Sequence, residues 1–197
     1  MNEISEKYKK YIIEIKLNGK KKFFISGMDI SKEDADFLLI DSNGKILIFN
    51  DVHLIEKFIL ETKGLLDKDN FLNWIRELKD YKPYVSYDID KITQILQVSN
   101  PLKELNKDEL SQIIDLINLI GDYSYQVDDK NLILLLEAKS IDLIKELFMD
   151  KYIWKAIEDS HEIDLEPLFG NFPFEDFKAD FENLFNLFVK QLSDDCN

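Results

Sequence analysis

Apolar and polar positions alternate along the first fifty residues, the period of two that marks strands. Tyr11, Ile13, Ile15 and Leu17 share one face, Asn18-Gly19 supplies the positive φ angles of a tight turn, and Lys21 to Ser26 returns. A second pair, Phe37 to Ile40 and Lys45 to Phe49, flanks Asp41-Ser42-Asn43-Gly44, another turn signal. The pattern predicts an antiparallel four-stranded meander over residues 1–50. Ile, Leu and Phe on both faces of several strands predict that helices cover part of it.

After Asn50 the period changes to 3.6. Asn50 or Asp51 caps a helix bearing Val52, Ile55, Phe58 and Ile59, which ends at Gly64. Phe71 to Leu78 forms the next, with Lys82-Pro83 beyond it, and Ile89 to Val98 follows Asp88. Asn106 with Glu109 opens Lys107 to Ile120, which is expected to halt at Gly121. Leu132 to Ala138 is a dense apolar run, and Ser140 caps Ile141 to Met149. Lys151 to Glu158 extends or restarts that helix, and Pro167, Gly170 and Pro173 mark a loop. The last helix is expected from about Phe174 to Leu192, its stripe set by Phe174, Phe177, Phe181, Leu184, Phe185, Phe188 and Leu192. Burying seven such side chains contributes roughly 10–20 kcal/mol gross, before ordering entropy. The fold class expected is α+β: the meander (1–50), then a predominantly helical part (51–197) of about six to seven helices, packed as one compact domain.

Composition adds a charge asymmetry. The 197 residues carry a net charge of −14, and Arg76 is the sole arginine. Met1 to Met28 holds seven Lys against three Glu, whereas Ile157 to Asn197 holds eleven acids, two bases and seven of the fourteen phenylalanines. Such a balance disfavours nucleic acid, whose phosphates are bound by Lys and Arg. It favours encounter with basic proteins. The only cysteine, Cys196, rules out an intrachain disulfide framework and any multi-Cys metal site, as fits a reducing cytoplasm. MNEISEKYKKY lacks the apolar core of a signal peptide, and no apolar run is long enough to span a membrane. The bias toward Lys, Ile, Asn and Asp resembles chains from AT-rich bacterial genomes.

Catalytic patterns are sparse. No phosphate-binding glycine loop or GxSxG elbow occurs. His53 and His161 are the only histidines, and His161-Glu162 lacks the second His of HExxH. Asp67-Lys68-Asp69-Asn70 opens like a calcium loop but fails at Phe71 and Leu72. Asp128-Asp129 before LILLLEAK, with Glu137 and Lys139 at ExK spacing, resembles the PD-(D/E)xK nucleases. That resemblance implies a divalent metal held by Asp129 and Glu137, with Lys139 orienting the water. Helical patterns precede the segment where that superfamily has βαβ surroundings, so a buried helix edged by charges is the simpler expectation. No catalytic residue, metal site or cofactor is therefore expected.

A strongly acidic mixed α and β chain without catalytic residues is similar to the immunity proteins of bacterial toxin systems, those of contact-dependent growth inhibition among them. The similarity is to the general type over the whole chain. It implies a non-enzymatic protein that binds and neutralises a cognate basic toxin, a nuclease being one such class. The expected contacts are Asp159, Glu162, Asp164 and Glu166, then Glu175, Asp176 and Asp180 of the last helix, with Tyr123, Tyr125 and Phe172 as anchors. The alternatives are the metal-dependent nuclease above and an adaptor or scaffold using the same surfaces.

Overall fold

The structure is a computed structural model that describes residues 3–29, 35–98, 107–146, 148–149 and 172–196. Within it the chain divides into two compact units. Unit 1 is Met1–Asp90 with Lys190–Asn197, and unit 2 is Lys91–Val189.

Unit 1 opens with a short helix, α1 (Glu3–Tyr8). β1 (Lys10–Leu17) and β2 (Lys20–Asp29) follow as the expected hairpin, in register from Lys10↔Gly27 to Leu17↔Lys20. Its tip is Asn18 at φ 52° and Gly19 at φ 71°, the left-handed region the turn demands. β3 (Ala35–Leu38) and β4 (Ile46–Phe49) both pair antiparallel with β2, so that long strand serves three partners. Between β3 and β4, the Asp41 carboxylate accepts from the backbone N–H groups of Asn43 (2.7 Å) and Lys45 (2.9 Å), closing the expected turn.

The four-stranded antiparallel meander is overturned. Six strands form one mixed sheet in the order β5-β1-β2-β4-β6, with β3 branching from β2. β5 (Val85–Asp88) adds parallel to β1, and β6 (Leu192–Cys196) adds parallel to β4. Parallel partners need a long crossover, so no turn signal beside them announces the pairing. β4 is buried at all four positions because β2 and β6 flank it and both its faces are covered, which explains its unbroken run of Ile, Leu and Phe. α2 (His53–Glu61) and α3 (Lys68–Glu77) pack Ile55, Ile59, Phe71, Trp74 and Ile75 into one core with Ile12, Ile25, Leu47 and Phe49 of the sheet.

A buried cation sits at the edge of that core. Lys10 is 0% exposed and donates to the Asp67 carboxylate (2.8 Å) and the Met28 carbonyl (2.6 Å). Its ammonium lies 5.2 Å from the ring centres of both Phe37 and Phe71. Asp67 reaches it from a left-handed conformation (φ 53°) just before α3 and also accepts from Asn70 (2.9 Å). The first acid of the segment that resembles a calcium loop, Asp67, is thus the counterion of a buried lysine. Gly27 is required beside it, since a Cβ there would stand 2.5 Å from the Lys9 carbonyl oxygen.

α4 (Ile89–Leu96) begins at the boundary between the units. Unit 2 then holds α5 (Lys107–Val127), α6 (Lys130–Leu136), α7 (Lys139–Glu146) and α8 (Phe174–Val189). α5 does not halt at Gly121. Tyr123 and Ser124 beyond it are buried, and the Ser124 hydroxyl donates to the Gly121 carbonyl (2.8 Å), so packing outweighs the glycine's cost of about 1 kcal/mol. The stop falls at Asp128, in the left-handed region at φ 55°. α8 buries Phe177, Phe181, Leu184 and Phe188, as its spacing predicts, but ends at Val189, because Leu192 opens β6.

Candidate functional site

The charge divides unevenly between the units. Unit 1 has 16 bases and 19 acids, a net of −3, and unit 2 has 9 bases and 20 acids, a net of −11. In unit 1, Lys7, Lys9, Lys10, Lys16, Lys21 and Lys82 pair with acids of the same unit. Lys7 reaches both oxygens of Glu77 (2.7 and 2.8 Å), Lys16 pairs with Asp88 (3.0 Å), and Lys21 with Glu14 (3.0 Å). Glu6 accepts from the hydroxyls of Tyr84 (2.5 Å) and Tyr11 (3.3 Å) and from Lys9 (3.2 Å). The Tyr84 hydrogen bond holds the Glu6 carboxyl below its ordinary range, and Lys7 does the same to Glu77. Asp90 accepts from the backbone N–H groups of Asn18 (2.7 Å) and Gly19 (2.8 Å), tying down the hairpin tip.

Two clefts of unit 2 present its acids. The first, of about 320 Å³, lies between α5 and the α6–α7 corner. Ser111, Asp115, Asn118, Asp122 and Tyr125 recur every three or four residues and so form one stripe of α5. The last three of these line the cleft, together with Gly121, Leu136, Glu137, Asp142 and Lys145. Partial burial raises the Asp115 pKa, and the Ser111 hydroxyl (3.4 Å) pulls it the other way. The second cleft, of about 480 Å³, lies between α7 and the start of α8 and is lined by Lys139, Ser140, Leu143, Pro173, Asp176, Ala179 and Asp180. The Ser140 hydroxyl donates to Asp180 across it (2.6 Å) rather than capping a helix.

The expected contact residues separate accordingly. Asp176 and Asp180 are brought together in the second cleft, and Glu175 is exposed beside them on the first turn of α8. Phe172 is half-buried, its ring edge-on to Phe177 at 5.7 Å. Tyr125 is 67% exposed and belongs to the first cleft. Tyr123 is 1% exposed and packs edge-on against Phe188 at 6.0 Å, so its ring is core and offers a partner nothing. Asp159, Glu162, Asp164 and Glu166 lie outside the described residues, as do His161 and the segment Lys151–Glu158.

Sequence reasoning missed Asp122, Glu137 and Asp142 as neighbours. Asp122 falls on the Tyr125 stripe and was readable once α5 was carried past Gly121. The other two come from separate helices, and only their packing brings them close.

The nuclease-like segment is helical. Asp129 is the N-cap of α6, accepting from the N–H groups of Asn131 and Leu132 (3.0 and 3.2 Å), and Glu137 stands at the other end as C-cap. Eight residues of helix rise separate them by about 12 Å, so one metal ion between them would have to forfeit the cap. Among the described residues no group of three or more His, Cys, Asp or Glu is arranged to hold a metal. Nor is any described helix long and apolar enough to cross a membrane.

The sequence matches no protein-family model and no curated protein. Among solved structures, the chain is similar to the crystal structure of the SatS C-terminal domain in complex with bromine. The likeness covers 98% of this chain and 97% of that one, with a TM-score of 0.53 and 15% identity. At that identity the likeness speaks for the fold alone.

Proposed function

We propose that this chain is a non-enzymatic binding protein that captures a basic protein, as immunity proteins neutralise a cognate toxin. One observation carries the reading: unit 2 carries 20 acids against 9 bases, and five of those acids line two clefts on either side of α7. A field of one sign over a concave surface raises the local concentration of an oppositely charged partner and speeds docking. Exposed Tyr125 beside the acids supplies the large apolar contact that anchors an interface. The helical segment from Asp129 to Glu137 supports binding over metal-dependent cleavage, because its first carboxylate is engaged in capping.

Capture from the organism that encodes the chain, using the full protein, is expected to recover one basic protein at 1:1 stoichiometry. The purified pair is expected to bind at roughly nanomolar Kd or tighter, with an association rate that falls about tenfold or more between low and physiological salt. Recovery of no stoichiometric basic protein would remove the reading.

A further inference from the structure

We infer that β6 is an exchangeable strand, and that the side of β4 it covers is a docking surface for β6 of a second copy of this chain. The hairpin strands cannot be traded in this way. β1 and β2 are joined by the tight turn at Asn18-Gly19, so either one brings the other with it. β6 lies parallel to β4, and a parallel pair has no such turn. The whole of Lys91–Val189 separates β6 from the rest of its unit, and Lys190 and Gln191 alone join it to α8. The site on β4 therefore recognises a strand, whichever copy supplies it.

The contacts define that site. Ile46 donates its N–H to the Gln191 carbonyl (2.8 Å), and Ile46 and Leu47 stand in register with Leu192 and Ser193. Lys45 clamps the incoming chain, its ammonium donating to the Lys190 carbonyl (2.5 Å) and the Gln191 side-chain oxygen (3.1 Å). Further along, the register shifts between Leu47 and Phe49, which interrupts the ladder. Asp194 and Asp195 are poor strand formers, so β6 contributes little of its own to staying docked. β4 is less able to go without a neighbour, because Ile46, Leu47, Ile48 and Phe49 are all buried. A weakly held strand over an apolar site favours replacement over vacancy. The replacement that makes every one of these contacts is β6 of another copy, which is why strand exchange is a low-cost route to a dimer. The short link gives the chain's own β6 an effective concentration on the order of mM, so exchange grows as the protein approaches that concentration.

The test uses full-length copies whose junctions match only across chains. Lys45→Glu sets an acid against the Lys190 carbonyl and the Gln191 side chain, and Gln191→Lys sets an ammonium against Lys45, so each copy disfavours its own β6. Both side chains are half-buried rather than core, and the substitutions leave the fold intact. Docking across chains pairs the introduced acid with the introduced ammonium at one site and restores the native junction at the other. The two copies are mixed in mild urea to release β6 and then diluted. Native mass spectrometry is expected to show a 1:1 heterodimer, at least about tenfold above the dimer of either copy alone. Lys45→Glu and Gln191→Lys in one chain match the junction again and should return the protein to monomer. No gain on mixing overturns the inference. An equal gain when Gln191→Glu, which repels the introduced acid, takes the place of Gln191→Lys overturns it too.

Discussion

The sheet unit and the helical unit differ in their balance of ionisable groups, although both hold internal ion pairs. In unit 1, acids and bases nearly balance and six of the bases are paired with acids, among them a lysine with no exposed surface held by Asp67. In unit 2, acids outnumber bases by more than two to one, and five of them line two clefts. The first unit stays near neutrality, and the second carries a large excess of acid. The linear sequence blurs this contrast, because Asp194 and Asp195 lie in the acidic end of the chain yet belong to the sheet unit.

The sharpest way to break the contrast is to remove a charge from each unit. Lys10→Ala strands the Asp67 carboxylate inside unit 1 and is expected to cost about 3–5 kcal/mol in urea unfolding. Asp142→Asn on exposed α7 is expected to change stability by less than about 0.5 kcal/mol. Near-equal costs would dissolve the distinction.

The two glycines sharpen it next. Gly27→Ala forces a Cβ to 2.5 Å from a backbone oxygen and is expected to destabilise by about 1–3 kcal/mol. Gly121→Ala meets only a methyl in ordinary contact inside a helix and is expected to stabilise by about 0.5–1 kcal/mol. Thermal unfolding of both variants checks the opposite signs.

Acid titration gives the smallest effect and a difference of sign. The lowered pKa values of Glu6 and Glu77 mean that the unfolded chain binds more protons at these sites. Their contribution is present above the unfolded Glu range, about pH 4.3, and is lost as pH falls through the lower folded values. The raised Asp115 pKa acts the other way. The folded state binds the extra proton, so this group's penalty grows as pH rises from about 3.9 through its folded value. Asp115→Asn should therefore raise stability slightly at pH 7 and leave it unchanged near pH 3. Hydrogen exchange resolved by residue should show unit 1 loosening first on acidification. Simultaneous loosening of both units would argue against this sign difference.

The legible parts of the fold are those whose partners lie nearby in sequence. Asn18-Gly19 announces the β1–β2 hairpin, and the phenylalanine spacing announces α8, because each signal is local. β5 and β6 pair with strands far away in sequence, and Leu192-Ser193-Asp194-Asp195-Cys196 has neither alternation nor a Gly, Pro or Asn turn signal directly before it. Its strand conformation comes from the edge that β4 offers, a tertiary influence that overrides weak local preference. The candidate site divides on the same principle. Tyr125 was readable as an exposed aromatic, and Tyr123, two residues away, faces inward for helical-phase reasons that became clear only with α5 intact past Gly121. Asp176 and Asp180 share a face by spacing alone, whereas Ser140 joins Asp180 through packing between helices.

β6 also sets an order of assembly. Its residues leave the ribosome after all of Lys91–Val189, so during synthesis the helical unit can condense while β4 still presents a bare flank. The sheet unit is a discontinuous domain with the helical unit inserted between its two pieces. Its completion is a post-insertion docking event, and the nascent chain passes through a stage with an open edge, the element most prone to pair with a neighbouring chain.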